Sequence, residues 1–123
     1  PGRAAQWRGI LQDILRADDK RLALAALSQW LAGLPAGEFA DALDAPPPAA
    51  LPEQLANTVA AMVEHVCATA REKPPAWTRE IAPLAQPAFG SELKSLRLHL
   101  LTNSPAAFRR RNLFVDTVVG GQV

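Results

Sequence analysis

The residues best suited to chemistry in this sequence are one cysteine and two histidines. His65 and Cys67 lie two positions apart in a run with helical spacing, so their side chains point about 200° from each other. A helical metal pair needs a separation of three or four residues, and one Cys with two His supplies too few good zinc ligands. We therefore predict that Cys67 packs in the core and that no metal is bound. His99 is expected to be an exposed or half-buried helical imidazole.

The acidic residues are concentrated in the first third of the chain. A paired-carboxylate site requires two of them to face each other across a cleft, which spacing cannot show, so solvated helix faces are the favoured interpretation. Neither of the two common phosphate-binding glycine patterns occurs, and Gly120–Gly121 is interpreted as a flexible tail. We predict no catalytic residue and no cofactor. The acidic residues up to position 44 are Asp13, Asp18, Asp19, Glu38, Asp41 and Asp44.

The densest charge run is Arg109-Arg110-Arg111. On a helix these three side chains fan through about 200°, so at least one must face inward or along the surface. One interpretation is a favourable position near a helix C-terminus, with aliphatic stems covering apolar surface. The other is contact with an acidic protein partner or with phosphates. Because aromatic residues and Arg dominate binding hot spots, the predicted contact residues are Trp77, Phe108, Arg109, Arg110 and Arg111. Trp77 is equally well explained as a core anchor.

The elements that must position these residues are mostly helices, because apolar residues recur at intervals of three and four. A proline-rich break at 45–52 interrupts them, and a second proline-spaced segment, 74–90, is predicted to be an ordered strap across the helices. Residues 113–119 are predicted to be one strand or an extended tail. The predicted helical segments are 7–15, 22–34, 38–43, 55–70, 93–101 and a short helix that begins at Ser104–Pro105.

Length and composition limit the class of protein. The chain has 123 residues, of which 49% are hydrophobic and 20% charged, which predicts one globular domain over 1–123. We expect an all-α, compact bundle of four to six helices with the ordered strap. A short β element at the C-terminus is left open. No long apolar run and no signal-peptide pattern is found, so no membrane contact is expected, although the start at Pro1 leaves an upstream segment open. A single cysteine favours a reducing, cytoplasmic location.

Five short motifs near the C-terminus carry a family resemblance. They are Pro75-Ala76-Trp77-Thr78, the proline-spaced strap, Ser95-Leu96-Arg97, Ser104-Pro105 and the run from Phe108 to Asn112. With them, residues 74–116 resemble the C-terminal block of small bacterial proteins of poorly defined function, often encoded beside nucleotidyltransferase-like genes of toxin–antitoxin type. The resemblance covers about a third of the chain. It implies an accessory protein that binds a partner, and it assigns no catalytic residues.

These observations favour a non-enzymatic protein–protein interaction module, as the accessory or antitoxin-like member of a bacterial gene pair. The net charge of +1 argues against a dedicated nucleic-acid binder. One alternative is a helix-turn-helix regulator built from 20–34 and 38–43, although its second helix is acidic where phosphate contact demands basic groups. The other is a small enzyme using His65, Cys67 and His99. A homodimer is left open.

Overall fold

Apolar residues at three- and four-residue spacing form the first helices, as expected from the sequence. The computed structural model describes residues 2–89 and 106–114, without the side chain of Phe89. Within these residues the fold is mostly helical, which confirms the all-α prediction. The elements are α1 (Arg3–Arg16), α2 (Lys20–Ala32), a 3₁₀ turn (Ala36–Glu38), α3 (Phe39–Ala42), α4 (Glu53–Ala70), α5 (Trp77–Glu80), β1 (Ala88–Phe89), α6 (Ala106–Arg109) and β2 (Leu113–Phe114).

The corner between α1 and α2 is stabilised by two side chains. The Asp19 carboxylate accepts hydrogen bonds from the backbone N–H groups of Arg21 and Leu22, at 3.0 and 3.3 Å, and so caps the start of α2. The ammonium group of Lys20 donates to the carbonyls of Ile14 and Leu15, at 2.7 and 3.0 Å. These carbonyls lie at the end of α1, where a helix lacks internal donors. The turn between the two helices is therefore held from both sides, by the Asp19 cap and by Lys20.

The proline break is an ordered and packed connection. The indole N–H of Trp7 donates to the carbonyl of Ala45, and that of Trp77 donates to the carbonyl of Leu43, both at 2.8 Å. Leu51 is buried at the end of the break. Pro52 precedes α4 as its N-cap, with extended ψ. The break therefore fixes the path between α3 and α4.

Helix α4 is the central element, and the described residues pack against it from both sides. Its buried face includes Val59, Val63 and Cys67. The helix ends at Ala70 because Arg71 adopts a left-handed conformation with φ 60°. The N–H of Glu72 then bonds to the Cys67 carbonyl at 2.8 Å, and the N–H of Arg71 bonds to that of Ala68 at 3.1 Å. This hydrogen-bond pair is a Schellman motif, which ends the helix before Pro74 and Pro75.

The C-terminal segment docks on α4 and pairs with the strap. Strands β1 and β2 run parallel, with Ala88 opposite Leu113 and Phe89 opposite Phe114. A β element within 113–119 is thereby confirmed at its first two residues, and positions 115–119 lie outside the described part. The predicted helix at 93–101, with His99, and the Gly120–Gly121 tail also lie outside it.

Three tryptophans connect the helices within the core. The ring of Trp7 on α1 stacks on Trp30 of α2 and on Trp77 of α5, with centroids 6.0 and 6.1 Å apart. Trp7 and Trp77 are buried, while Trp30 is half-buried and donates its N–H to the side chain of Gln6. Stacked aromatic rings contribute beyond their buried area, so this stack ties α1, α2 and the strap together.

Candidate functional site

The fold separates the arginine run into one buried residue and two exposed ones. Helix α6 ends at Arg109, the chain turns through Arg110 and Arg111, and Asn112 follows with φ 62°. Asn tolerates this left-handed conformation better than most residues, and its side chain also donates to the Leu84 carbonyl at 2.7 Å. Arg111 is 5% exposed, whereas Arg109 and Arg110 are exposed. At least one of the three arginines was expected to face inward or along the surface, and Arg111 faces inward.

Arg111 is the centre of a buried hydrogen-bond network. Its Nε and Nη2 bind the two carboxylate oxygens of Glu64, at 2.8 and 3.1 Å, in a bidentate ion pair. Its Nη1 donates to the side-chain oxygen of Asn57 and to the carbonyl of Ile81, both at 2.8 Å, and its Nη2 also donates to the carbonyl of Thr78. A guanidinium has five N–H donors, and five acceptors surround this one. We call this set the Arg111 network.

The Arg111 network joins three parts of the chain. Asn57 and Glu64 belong to α4, Thr78 and Ile81 belong to the strap, and Arg111 follows α6. Asn57 is fully buried and also donates to the carbonyls of Glu53 and Ala82, at 3.2 and 3.1 Å. Because its donors are all used internally, Arg111 holds the C-terminal segment in place and is unavailable to a partner. Arg111 was predicted as a contact residue, but its burial gives it a role in the interior instead.

Trp77 and Phe108 also lie in the interior, at 6% and 2% exposure. The Trp77 ring stacks on Trp7 and its N–H is bonded to the proline break, which matches the alternative role of core anchor. Phe108 is buried on α6 together with Ala107, and its ring meets the ring of His65 edge-on, with centroids 6.5 Å apart. Burial of these large aromatic side chains stabilises the core. The prediction that Trp77 and Phe108 contact a partner is therefore corrected: both are core residues.

His65 and Cys67 are not brought together. Cys67 is fully buried, and burial, followed by the nearby negative charges of Glu72 and Glu64, raises the pKa of its thiol to about 11. A thiol with so high a pKa carries almost no thiolate near neutral pH and is a poor nucleophile. Among the described residues no group of three or more His, Cys, Asp or Glu side chains is arranged to hold a metal. Packing of Cys67 in the core, as predicted, is what the structure shows.

An open groove lies between the C-terminal ends of α2 and α4, with a volume of about 310 Å³. Its floor includes Leu31, Leu34 and Phe39, which are buried, and His65 lies at its side. Neither a carboxylate nor Cys67 lines the groove, so His65 has no acid–base partner among the groove residues. The remaining lining residues are Ser28, Ala32, Ala36, Val66, Thr69 and Ala70.

The helix-turn-helix alternative gains no geometric support. The second helix of that motif would be α3, which has four residues and buries Phe39 and Ala42. Its acidic neighbours are engaged by α1, because Arg8 pairs with Asp44 at 2.9 Å and Arg3 pairs with Glu38 at 3.3 Å. A recognition helix must present several residues to a DNA groove, and four residues of which two are buried cannot do so.

Sequence reasoning missed the two partners of Arg111 on α4. Asn57 and Glu64 are seven residues apart, which places them on the same face of a helix. Asn57 lies among apolar residues on that face, and a buried polar residue needs a partner. That pattern was a readable signal for a buried network, but only the fold shows that the partner is Arg111.

Fold and site together define a small helical domain in which α4, the strap and the C-terminal segment are joined by a buried arginine network. No family model matches the chain, and neither a curated protein nor a solved structure matches it. Among the described residues, no helix is both long and apolar enough to cross a bilayer.

Proposed function

We propose that this protein is a non-enzymatic protein–protein interaction module, the accessory or antitoxin-like member of a bacterial gene pair that acts in the cytoplasm. The observation that carries the proposal is the division of the arginine run. Arg111 is anchored inside the protein, and the two arginines before it are exposed on the same short segment. The proposed membership of a bacterial gene pair is based on the resemblance of residues 74–116. The proposed cytoplasmic location is based on the single cysteine, Cys67, which forms no disulfide.

Anchoring favours binding by lowering its entropic cost. A side chain on a mobile segment loses freedom when it binds, whereas a segment fixed beforehand loses less. The backbone of Arg111 accepts a hydrogen bond from Leu84 at 3.2 Å, and the backbone of Asn112 accepts one from Ala88 at 2.8 Å. These bonds, with the Arg111 network, hold the segment that carries Arg109 and Arg110. Arginine is also among the residues enriched at binding hot spots.

The chemistry of the described interior is consistent with this proposal. Among the described residues, no fully enclosed side-chain N or O atom is left without a hydrogen-bond partner. Catalytic sites commonly retain perturbed or unpartnered groups that face a cleft. Here the Cys67 thiol, whose pKa is raised, faces the core, and the groove beside His65 lacks a carboxylate.

The test is recovery of a partner from the native host by tagged full-length protein, with co-expression of the neighbouring gene product as a second arm. The variant Arg109→Ala/Arg110→Ala is compared with Arg16→Ala/Arg21→Ala, which alters two exposed arginines of α1 and α2. We expect wild type and the control to retain one protein in stoichiometric amount, and the first variant to lose it at least tenfold. The proposal is overturned if no protein is enriched over a mock column, or if all three baits recover it equally.

A further inference from the structure

We infer that the groove between the C-terminal ends of α2 and α4 binds an uncharged aromatic molecule, about the size of two fused rings, that carries an N–H or O–H donor. The arginine run does not line this groove, so the inference does not depend on the proposed function. The groove volume of about 310 Å³ is at the lower end of small-molecule sites, which run from roughly 300 to 1,000 Å³. A cavity of roughly 150 Å³ lined by Leu, Ile and Phe holds one benzene molecule, so two fused rings suit this groove.

Ser28 supplies the polar group that points to a ligand. It lies on the groove wall and is only 6% exposed, yet its hydroxyl has no hydrogen-bond partner among the described residues. Helical hydroxyls often bond to the carbonyl four residues earlier, as those of Thr58 and Thr69 do here, at 2.8 and 3.0 Å. In the described part of the chain every fully enclosed side-chain oxygen is paired, so the Ser28 oxygen is one that remains open. Because Ser28 lines the groove, a molecule that displaces water there can reach this hydroxyl.

The other polar groups around the groove favour a ligand that donates a hydrogen bond. His65 lies at its side, and neither ring nitrogen bonds to another described residue, while the ring is placed by its edge-on contact with Phe108. In its neutral form an imidazole offers one acceptor and one donor. Three backbone carbonyls at the helix ends also accept no hydrogen bond from a described residue, and they belong to the lining residues Ala32, Thr69 and Ala70. Acceptors therefore outnumber donors around the groove.

The lining selects against a charged ligand and for a flat, rigid one. None of the described residues that line the groove is Asp, Glu, Lys or Arg, so a buried charge would lose its hydration without gaining a counter-charge. The floor is formed by the buried side chains of Leu31, Leu34 and Phe39, which cover an apolar surface. Phe39 and His65 add aromatic rings that pair favourably with a further ring. A rigid ring also loses less conformational freedom on binding than a flexible chain of the same size.

The experiment titrates the purified full chain with indole and follows the backbone amides by NMR. Indole is uncharged, has two fused rings and carries one N–H donor. We expect it to shift the amides of Ser28, Ala32 and Thr69 and to leave that of Asp13 on α1 unmoved. Two matched ligands test the assigned chemistry. 1-Methylindole lacks the donor and is expected to bind at least threefold more weakly, and indole-3-acetate carries a charge and is expected to bind at least tenfold more weakly.

Variants test whether the groove itself is the site. Ala32→Leu fills the groove from an exposed position and is expected to weaken indole binding at least tenfold, whereas Ala26→Leu, exposed on the same helix outside the lining, is expected to bind like wild type. Ser28→Ala is expected to weaken binding at least threefold without lowering the thermal midpoint, because its hydroxyl has no partner among the described residues. The inference is overturned if indole shifts no groove amide up to its solubility limit, if 1-methylindole or indole-3-acetate binds as tightly as indole, if Ala32→Leu binds like Ala26→Leu, or if Ser28→Ala binds unchanged.

Discussion

Arg111 is buried, whereas the two arginines before it are exposed, and its environment supplies a partner for each of its donors. The ion pair with Glu64 is largely withdrawn from water, and taking two charges out of water is costly unless hydrogen bonds satisfy both. The carbonyls of Thr78 and Ile81 and the amide of Asn57 complete that requirement. Removal of the arginine would therefore leave several buried acceptors unpaired at once.

We predict that Arg111→Met lowers the free energy of unfolding by about 3–5 kcal/mol, because it leaves the Glu64 carboxylate and the Asn57 oxygen without their donors. The matched variant Arg110→Met removes an exposed arginine from the adjacent position and is expected to change stability by less than about 0.5 kcal/mol. Urea unfolding followed by circular dichroism measures both. Equal stability of the two variants would contradict the assignment of Arg111 as the anchor.

Cys67 predicts a dependence of stability on alkaline pH. The pKa of its thiol is raised from 9.0 to about 11 by burial, then by Glu72 and Glu64. The folded protein therefore keeps the thiol proton at pH values where the unfolded chain loses it. The stabilisation is complete below about pH 9 and is lost as the pH rises toward 11. Urea midpoints at pH 8 and 10.5 should fall more for wild type than for Cys67→Ala, and equal falls would show that the thiol does not contribute.

Arg71 predicts a stabilising substitution. It adopts φ 60° at the end of α4, a conformation that costs a residue with a Cβ about 1 kcal/mol and that glycine adopts freely. Arg71→Gly is expected to raise the thermal midpoint by a few degrees, and Arg71→Ala to leave it near wild type, because alanine keeps the strain. A midpoint for Arg71→Gly below that of Arg71→Ala would mean that the arginine side chain itself stabilises this turn.

At the scale of elements, α6 is a helix of four residues that cannot be stable alone, because a single helical turn is costly to nucleate. It is held by burial of Ala107 and Phe108 and by the Arg111 network that follows it. Phe108→Ala is expected to lower the free energy of unfolding by about 3–5 kcal/mol, while the exposed Ala106→Ser changes little. Amide hydrogen exchange should show the loss of protection first at Ala88, whose N–H bonds to the Asn112 carbonyl. Unchanged exchange there would contradict the docking role of α6.

The helices could be predicted from the sequence because their apolar spacing, proline stops and aspartate cap act locally. The spacing of α1 and α4 and the cap at Asp19 each indicate structure within one or two helical turns. Which residue of the arginine run is buried could not be predicted in the same way. Whether Arg111 or Arg110 faces inward depends on Glu64, which lies 47 residues away, and no local pattern encodes that pairing. Trp77 was undecided for the same reason, since its acceptor is the carbonyl of Leu43, 34 residues away.

At the scale of the whole molecule, the described elements share one hydrophobic core. A continuous cluster of buried residues runs from Trp7 on α1, through Val63 on α4, to Leu113 on β2. The tryptophan stack and the Arg111 network lie at two places along this cluster. Trp77 belongs to the stack, and its neighbour on α5, Thr78, belongs to the network. A single turn of helix therefore contains a member of both groups.

This continuity predicts one cooperative unfolding transition. Tryptophan fluorescence reports on the stack, and far-ultraviolet circular dichroism reports on the helices, chiefly α1, α2 and α4. If the core is one unit, the urea midpoints from the two probes should coincide in wild type and should shift together in Arg111→Met. Trp30→Phe serves as the control for the optical signal, because it removes the half-buried indole and leaves Trp7 and Trp77 as emitters. A fluorescence change that precedes the circular dichroism transition, in wild type or in Arg111→Met, would show that the strap, which carries Trp77, unfolds separately from the long helices, and the single-domain prediction would then be wrong.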